Sequence, residues 1–448
     1  MKNKITSVAL LIVMLFSLIS LSSCEKTNEL RIYDKNKDIM VSAVSLDLNS
    51  LPEAEKNLRS YLDIVVTQAS AILAAKNEIE FESAKMEILN GKYSIYTAFD
   101  PKVFESIAQM YKNYEEKKVS IGLAVTDLEG NLISAFSSSE LQNYAFEKTA
   151  PYSSFKPLSV YAPAIEKGII TYSSTYEDSP IKNIESSEGL VAWPKNYTGT
   201  YSNKQTTISK AVTHSLNTIA VRCLKDIGVG ESISYLKNTF GLNLPFEEAK
   251  MKSLGEEEIL GNIALGYLND GVSPVDMAGY YQTFATGGLY AASQAVVGIK
   301  DADGKTIYKT KQKPVRVMTE ETAAIMNKLL CEVVSIPGGT GAKAQIENII
   351  VGGKTGTGDK GYWFSGFTPE YSVAVWHGKE LQENLAGQMF SEAVSNFPLN
   401  EKETFTEAKN LKEAVYCAES GKLVSKNCRN IALGYYKSDN IPELCDKH

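Results

Sequence analysis

The stretch TAPYSSFKPLSVYAPAIEKG, residues 149–168, places two serines and a lysine at the start of an apolar helical pattern. A helix that begins near Ser153 puts Lys156 on the same face three residues later, whereas Ser154 and Lys156 point in nearly opposite directions. Pro157 fits such a start because the first N–H groups of a helix lack partners anyway. The positive end of the helix dipole also suits a nucleophile that develops negative charge. The pattern predicts a reactive Ser153 paired with Lys156; the alternative is an ordinary helix cap followed by a solvated lysine.

The composition is that of a globular chain with an acidic balance. Of its 448 residues, 44% are hydrophobic and 22% are charged, which is enough for two or three domains with a sizeable core. The net charge of −7, without a basic patch of interleaved aromatic residues, argues against nucleic acid as a partner. Three histidines and scattered cysteines show no metal-ligand spacing, so we expect no metal site.

The N-terminal residues 1–24, MKNKITSVALLIVMLFSLISLSSC, are typical of an export signal. Two lysines precede an apolar run, and the run ends in Leu-Ser-Ser-Cys, which resembles a bacterial lipoprotein cleavage box. We therefore predict a signal peptide over 1–23 and a lipid attached to Cys24. The protein would then be exported and anchored at the extracytoplasmic face of a bacterial membrane. An uncleaved transmembrane anchor with an incidental cysteine is the alternative.

Five of the six cysteines lie beyond this signal, in a protein whose export would permit disulfides. Cys223 and Cys331 lie in apolar, helix-like stretches and are expected to be buried thiols. The other three lie near the C-terminus, at Cys417, Cys428 and Cys445. At most one pair of these can close, and the sequence does not say which.

Patterning along the chain continues beyond the signal in four parts. We expect a polar, irregular tether over 24–50 and a helical spacer over 51–118. Residues 119–385 begin with the alternation of a β-hairpin, continue with helices and end in consecutive strands. This order predicts an α+β domain in which one mostly antiparallel sheet is flanked by helices. Residues 386–448, with the three clustered cysteines, are expected to form a C-terminal extension.

Two further segments offer what a serine–lysine pair needs: a proton path, oxyanion donors and contacts to a substrate backbone. In THSLN, residues 213–217, Ser215 and Asn217 interrupt two helical runs. The Ser215 hydroxyl can both donate and accept, and the Asn217 amide can hold a peptide group at both ends. The alternative is a helix cap followed by an ordinary asparagine.

The other segment is VGGKTGTG, residues 351–358, which contains the one Lys-Thr-Gly of the chain. In an edge strand, Lys354 could face the pocket while Gly356 lets a substrate backbone approach closely. Thr355 and Thr357 offer hydroxyls for a carboxylate, and an extended peptide could dock along the edge. The alternative is an exposed edge strand that enters a glycine turn.

Together the three segments resemble the motifs of the penicillin-binding proteins and serine β-lactamases, which have the same order and placement. The likeness covers about 119–385 and includes ALGYLNDGVSPVDMAGYYQTFATGGLY and IIVGGKTGTGDKGYWFSGFTPEYSVAVWHG. It is nearest to the transpeptidase half of the bifunctional class A type, whose glycosyltransferase motif, E-D-x-x-F-x-x-H-x-G, has no match here. The resemblance implies a penicillin-binding transpeptidase fold, with a helical subdomain, and transpeptidase chemistry only.

The resemblance also implies how the site would work. It implies a D,D-transpeptidase that forms an acyl-enzyme with the D-Ala-D-Ala end of peptidoglycan stem peptides, without a cofactor or metal. The catalytic residues that it implies are Ser153, Lys156, Ser215 and Lys354. The substrate-binding residues that it implies are Asn217, Thr355, Gly356 and Thr357.

The resemblance leaves several functions open. β-Lactams would be inhibitors, and a separate glycosyltransferase would be a partner. A D,D-carboxypeptidase and a β-lactamase are alternatives on the same fold. A lipoprotein that binds cell-wall peptide or β-lactam without catalysis is an alternative of another class, although a binder has no need of both lysines. Ser215-Leu216-Asn217, where class A β-lactamases show Ser-Asp-Asn, favours the penicillin-binding side.

Overall fold

The computed structural model describes residues 28–51, 58–186 and 189–447. These residues divide into two compact units. The smaller unit is built from residues 28–47, 66–97 and 296–310, and the larger unit from the other described residues.

The predictions of a signal peptide and a lipid anchor cannot be compared with the described residues. The predicted signal peptide and Cys24 lie outside the described residues. Within the part that the structure describes, no helix is both long and apolar enough to cross a bilayer.

Helices and strands alternate along both units. The α-helices of the described residues are α1 (Arg59–Asn77), α2 (Phe81–Asn90), α3 (Pro101–Tyr111), α4 (Ala162–Glu166), α5 (Ile208–Thr213), α6 (Asn217–Ile227), α7 (Val229–Phe240), α8 (Pro245–Leu254), α9 (Glu256–Leu265), α10 (Pro274–Ala285), α11 (Glu320–Ser335) and α12 (Ala386–Val394). The strands are β1 (Leu30–Tyr33), β2 (Ile39–Ala43), β3 (Ser94–Thr97), β4 (Ile121–Asp127), β5 (Leu132–Ser137), β6 (Thr175–Glu177), β7 (Lys182–Ser186), β8 (Gly189–Trp193), β9 (Gln205–Thr207), β10 (Leu289–Tyr290), β11 (Val296–Lys300), β12 (Thr306–Lys309), β13 (Val315–Arg316), β14 (Gly352–Thr357), β15 (Tyr362–Phe367), β16 (Tyr371–His377), β17 (Leu411–Cys417) and β18 (Ile431–Lys437).

The larger unit is organised around a five-stranded antiparallel sheet in the order β14-β15-β16-β4-β5. β4 and β5 form the hairpin predicted from the alternation after residue 119. The long helical segment of the sequence then intervenes, and β16 returns to pair with β4, so that Ala374 lies opposite Ala124. The predicted α+β fold with a mostly antiparallel sheet is confirmed, and β14, which carries Lys-Thr-Gly, is at the edge of the sheet.

Helices cover this sheet and fix its edge. α10 is buried on every side and packs on β4, β15 and β16, as expected of a helix in the core. A capping box begins it: the Ser273 hydroxyl accepts from the backbone N–H of Asp276, and the Asp276 carboxylate accepts from the backbone N–H of Ser273. α11 packs against β14, while α12 packs on β15 and β16. The edge strand is thereby held in place beside the segment that carries Ser153.

The smaller unit contains strands where the sequence predicted an irregular tether. β1 and β2 belong to a five-stranded sheet in the order β12-β11-β3-β1-β2. Leu30, Ile32 and Val41 are buried. The tether prediction for 24–50 is therefore wrong over these strands. The strands are short and set among charged residues, and the strands that pair with them lie far along the chain, so the local pattern is weak.

Two other predicted boundaries also differ from the structure. The helical spacer over 51–118 includes β3 as well as helices, and its residues are shared between the two units. The C-terminal extension was placed from residue 386, yet α12 (Ala386–Val394) packs on the main sheet and on α3. Its buried face includes Met389 and Phe390. The helix is therefore part of the larger unit's core.

The two isolated cysteines differ in their exposure. Cys223 is fully buried, as predicted, whereas Cys331 is only partly buried. The remaining cysteines of the described chain lie together at the end of β17, in the connection from β17 to β18, and in the segment that follows β18.

Candidate active site

The segment that carries Ser153 begins as a tight turn and not as an α-helix. Residues Tyr152–Phe155 form a 3₁₀ turn, Pro157–Tyr161 form a π-helical turn, and α4 begins only at Ala162. The predicted helix start near Ser153 is therefore wrong in type. In an α-helix the Ser153 carbonyl would accept from residue 157, but proline has no N–H, and the carbonyl accepts from Lys156 instead.

This turn also determines which of the two serines faces the cavity. Ser153 is partly exposed and lines a large cavity. Ser154 is fully buried, and its hydroxyl donates to the carbonyl of Pro151 at 2.6 Å. Tyr152 before them has a φ of +52°, a costly conformation for a non-glycine residue that is common at functional sites. Its hydroxyl donates to Asp359 at 2.7 Å, which ties the turn to the loop after β14.

The second motif lies between α5 and α6 and meets Lys156. Ser215 has a φ of +58°, and its carbonyl turns toward the lysine. The Lys156 ammonium donates to the Asn217 Oδ1 at 2.6 Å and to the Ser215 carbonyl at 2.9 Å, and it lies 3.5 Å from the Ser215 Oγ. The first two predicted motifs are thus in direct contact through this ammonium.

A buried polar cluster holds Asn217 in place. Asn196 accepts from the backbone N–H of Asn217 at 2.8 Å, and the Asn217 side chain donates to the Lys195 carbonyl at 2.7 Å. Asp178 accepts in turn from Asn196 at 2.8 Å and from Thr218 at 2.7 Å. The sequence does not indicate these supporting residues, because nothing in their local pattern distinguishes them from ordinary loop residues.

The charge of Asp178 is set by the same contacts. Burial alone would raise the pKa of this carboxyl group, but hydrogen bonds from the Ser202 backbone, Thr218 and Asn196 outweigh burial and lower the pKa. The carboxylate is therefore ionised and is committed to holding the loop.

The third motif is on edge strand β14, which packs directly against the 152–155 turn. Thr355 and Thr357 line the cavity, while Lys354 is fully buried. A Cβ on Gly356 would lie 2.3 Å from the Pro151 carbonyl oxygen. The space predicted for a substrate backbone on that side is therefore filled by the protein itself, and this glycine lets the strand approach the 152–155 turn.

One residue that the sequence did not indicate supports the outer side of this strand. The Asn384 side-chain nitrogen lies 3.0 Å from the Gly356 carbonyl and 3.2 Å from the Thr357 Oγ1. Asn384 also lines the cavity. A lone asparagine in a loop carries no motif, so only the fold assigns it to this strand.

The two lysines make the site electrostatically unusual. Burial lowers the pKa of Lys354 to about 7. Burial, and then the nearby positive charge of Lys354, hold the pKa of Lys156 well below its ordinary value. Among the described residues, no carboxylate forms an ion pair with either ammonium group. A buried lysine without an anionic partner gives up its proton readily and can act as a base near neutral pH.

The cavity joins the three segments. Its volume is about 870 Å³, and it is open to solvent on one side of the larger unit. The predicted site residues that line it are Ser153, Ser215, Asn217, Thr355 and Thr357. The cavity has hydroxyl, amide and backbone groups from three separate parts of the chain, which is a constellation suited to acyl transfer through a serine.

Known structures share this fold. The PonA1 protein from Mycobacterium tuberculosis, solved in complex with penicillin V, superposes with a TM-score of 0.63 at 18% identity, over 78% of this chain and 96% of that chain. The D,D-transpeptidase domain of the peptidoglycan glycosyltransferase from Eggerthella lenta gives a TM-score of 0.62 at 16% identity, over 84% of this chain and 98% of that chain. At these identities the likeness concerns the fold alone.

Sequence relatives and a family model agree with the fold. Penicillin-binding protein 4 of Bacillus subtilis is 32% identical over 328 residues, which cover 71% of this chain and 49% of that protein. Penicillin-binding protein 1F of the same organism is 29% identical over 381 residues, which cover 79% of this chain and 49% of that protein. The chain thus spans about half the length of these relatives. The family model described as "Penicillin binding protein transpeptidase domain" matches residues 96–395, more than half of the chain. The chain belongs to the penicillin-binding protein transpeptidase family.

Proposed function

We propose that this protein is a serine D,D-transpeptidase that cross-links peptidoglycan stem peptides. The observation that carries the proposal is the position of the buried Lys156 ammonium, within hydrogen-bond distance of Ser215 and Asn217. Ser153 and both of these residues line one cavity. A low-pKa amine near the Ser215 hydroxyl, at a cavity that Ser153 also lines, is an arrangement that suits a serine nucleophile when no histidine serves as its base.

The proposed reaction has two acyl-transfer steps. Ser153 Oγ attacks the carbonyl between the two terminal D-alanines, and neutral Lys156 accepts the hydroxyl proton. The backbone N–H groups of Ser153 and Thr357 stabilise the oxyanion. As the C–N bond breaks, Ser215 passes a proton to the leaving D-alanine nitrogen, and an ester remains on Ser153. An amine from a neighbouring stem peptide then attacks this ester, forms the new amide and returns the serine hydroxyl.

The proposed substrate contacts use groups with spare hydrogen-bonding capacity. Thr355 and Thr357, together with the Lys354 charge, would bind the terminal carboxylate. Asn217 accepts from Lys156 and gives one N–H to the Lys195 carbonyl, which leaves its second N–H for a substrate carbonyl. Gly356 would contribute through its position beside the nucleophile turn.

The cavity lining favours a long-lived acyl-enzyme over rapid hydrolysis. Hydrolysis requires a base that activates water, a task that a glutamate performs in class A β-lactamases. Asp178 is the one carboxylate among the described residues that line the cavity, and its oxygens already accept from Asn196, Thr218 and Ser202. β-Lactams, which resemble the D-Ala-D-Ala end, are therefore expected to acylate Ser153 and to leave slowly.

The setting of the enzyme is part of the proposal. Peptidoglycan lies outside the cytoplasm, which agrees with an export signal and a lipid on Cys24. A separate glycosyltransferase is the partner that we propose, because it would supply the glycan strands that this protein cross-links.

The first experiment compares two adjacent serines. Fluorescent penicillin should label the purified protein with a stable band, and Ser153→Ala should abolish that band. Ser154→Ala is the matched control, because Ser154 is buried and its hydroxyl is committed to the Pro151 carbonyl. Labelling that survives in Ser153→Ala, or no labelling of the unmutated protein, would contradict the proposed nucleophile.

The second experiment separates transfer from hydrolysis. The protein is incubated with pentapeptide muropeptides, and the products are resolved by mass spectrometry. Cross-linked dimers support the transpeptidase proposal. Trimmed monomers alone would assign a D,D-carboxypeptidase, and rapid release of the penicillin label would assign a β-lactamase.

A further inference from the structure

Three thiols converge at the C-terminal end of the larger unit. Cys417 ends β17, Cys428 lies in the connection to β18, and Cys445 lies in the last described segment. Their Sγ atoms all lie within 4.8 Å of one another. The expectation that the cysteines form no metal-ligand arrangement is therefore corrected. Their spacing in sequence matches no short ligand motif, and the fold alone brings them together.

The backbone fixes the segments that carry these thiols. The Cys417 N–H donates to the Lys422 carbonyl at 2.8 Å, and the Cys445 N–H donates to the Leu423 carbonyl at 2.7 Å. The loop around Leu423 therefore binds both the end of β17 and the last segment. The sulfur atoms are held near one another by hydrogen bonds that do not involve them.

Two donors also point at the sulfur atoms. The Ser420 hydroxyl lies 3.2 Å from the Cys445 Sγ, and the Ser425 N–H lies 3.4 Å from the Cys428 Sγ. Donors of this kind stabilise the negative charge of thiolates and commonly surround metal-bound cysteines. A disulfide would need no such donors.

We propose that Cys417, Cys428 and Cys445 bind a zinc ion. Zinc binds thiolates tetrahedrally at about 2.3 Å, which separates neighbouring sulfur atoms by about 3.8 Å. Sulfur atoms within 4.8 Å of one another reach that spacing with small side-chain rotations. A disulfide would join two of the cysteines and leave the third as a free thiol. Binding releases the thiol protons to solvent, so no oxidant is required.

The three thiols leave one position of the ion for another ligand. Asp446, next to Cys445, is already paired with Lys422 at 2.9 Å. Three thiolates would therefore hold the ion, and a water molecule would take the fourth position.

Residues 411–447 form a small module that a bound zinc ion would stabilise. Between residues 411 and 447, the buried large or sulfur-containing side chains are Tyr416, Cys417, Tyr436 and Cys445. Other apolar side chains, such as Ile431 and Leu444, are 53% and 68% exposed. So small a core contributes little stability, and modules of this size are commonly held together by a metal or a disulfide. Zinc would join β17, the loop and the last segment at one point.

The test measures metal content of the full chain. The protein is purified with a reductant and without chelator, equilibrated with Zn²⁺ and freed of excess ion by gel filtration. Elemental mass spectrometry should give about one zinc per chain. Cys428→Ser, at the most exposed of the three positions, should lose at least tenfold in zinc affinity. Cys331→Ser is the matched control and should retain the ion.

Cobalt spectroscopy and thiol alkylation test the zinc site in two further ways. Co²⁺ in place of Zn²⁺ should give the thiolate charge-transfer band of a tetrahedral site. If Cys428→Ser fails to fold, as judged by circular dichroism, zinc should instead protect all three thiols of the unmutated chain from alkylation until a chelator is added. A disulfide between two of the three cysteines in protein taken directly from the exporting cell, or alkylation of all three in the presence of zinc, would overturn the proposal.

Discussion

Two buried lysines dominate the chemistry at the scale of single residues. Neither Lys156 nor Lys354 exposes any of its side chain, and the two charges oppose each other. A protein that needed only to bind a peptide would gain stability from apolar residues at these positions. The cost of keeping both amines buried agrees with the proposed catalytic role, because burial lowers the pKa of each amine and so favours proton transfer.

Lys354→Met is expected to stabilise the fold and to abolish acylation. The pKa of Lys354 is lowered from 10.5 to about 7, so between these pH values the unfolded chain binds more protons than the folded chain. The destabilisation is therefore fully present below pH 7 and is lost as the pH rises toward 10.5. Urea unfolding of the variant should show a gain on the order of 2 kcal/mol at neutral pH. The gain should be smaller at about pH 9.

The control for this prediction is Lys210→Met. Lys210 also lines the cavity, but its side chain is exposed, so its replacement should change the free energy of unfolding by less than about 0.5 kcal/mol. A gain from Lys354→Met that does not depend on pH would show that the effect comes from packing and not from the buried charge.

At the scale of elements, the site depends on how β14 lies against the 152–155 turn that carries Ser153. The strand approaches so closely that Gly356 has no room for a Cβ beside Pro151. Tyr152 also anchors this turn to the loop that follows the strand. The two elements form one rigid support, which is what precise positioning of a nucleophile requires.

Gly356→Ala is expected to push β14 away from the turn. The added methyl group would lie 2.3 Å from the Pro151 carbonyl, and overpacking of this kind costs about 1–3 kcal/mol of stability. The rate of penicillin labelling should fall by roughly tenfold or more, since small displacements at a reacting centre are costly. Gly298→Ala, in strand β11, is the matched control because its nearest neighbour would be 3.6 Å away. Unchanged labelling of Gly356→Ala would argue against a fixed strand–turn contact.

The loop before α6 is a second element whose position is set by buried polar contacts. Asp178→Ala removes the acceptor for Asn196, Thr218 and the Ser202 backbone. Each buried donor left unsatisfied costs about 1–3 kcal/mol, so the variant should unfold at lower urea concentration and should label slowly. Asp226→Ala is the control: this carboxylate is exposed and bonded to Tyr176, and both properties should remain near those of the unmutated protein.

At the scale of the whole molecule, the proposed lipid anchor makes a prediction about membrane attachment. The described residues contain no helix suited to span a bilayer, and the proposed attachment is a lipid on Cys24. Cys24→Ser should move the protein expressed in its bacterial host from the detergent phase to the aqueous phase in a detergent partition experiment. Cys331→Ser should leave it in the detergent phase. If Cys24→Ser also stays with detergent, the N-terminal segment acts as an uncleaved anchor.

The sequence alone determined the motifs and the class of fold. The spacing of Ser153 and Lys156 separated the serine that lines the cavity from its buried neighbour, because residues one turn apart share a face in both the 3₁₀ and the α geometry. The alternation around β4 and β5 and in β14 to β16 predicted an antiparallel sheet, since a strand with a buried face carries its own period. These are local signals, and they can be found without knowing which segments meet.

Tertiary structure alone decided what depends on contacts between distant segments. It placed Lys156 in contact with Asn217 and brought together three cysteines that are widely spaced in sequence. It also showed that Pro151 fills the space beside Gly356 where a substrate backbone was expected. It also turned residues 30–43 from an expected tether into strands of the smaller unit's sheet. A short strand, or the position of a lone polar side chain, is stabilised by contacts with distant parts of the chain. The local sequence does not indicate which distant segments make those contacts.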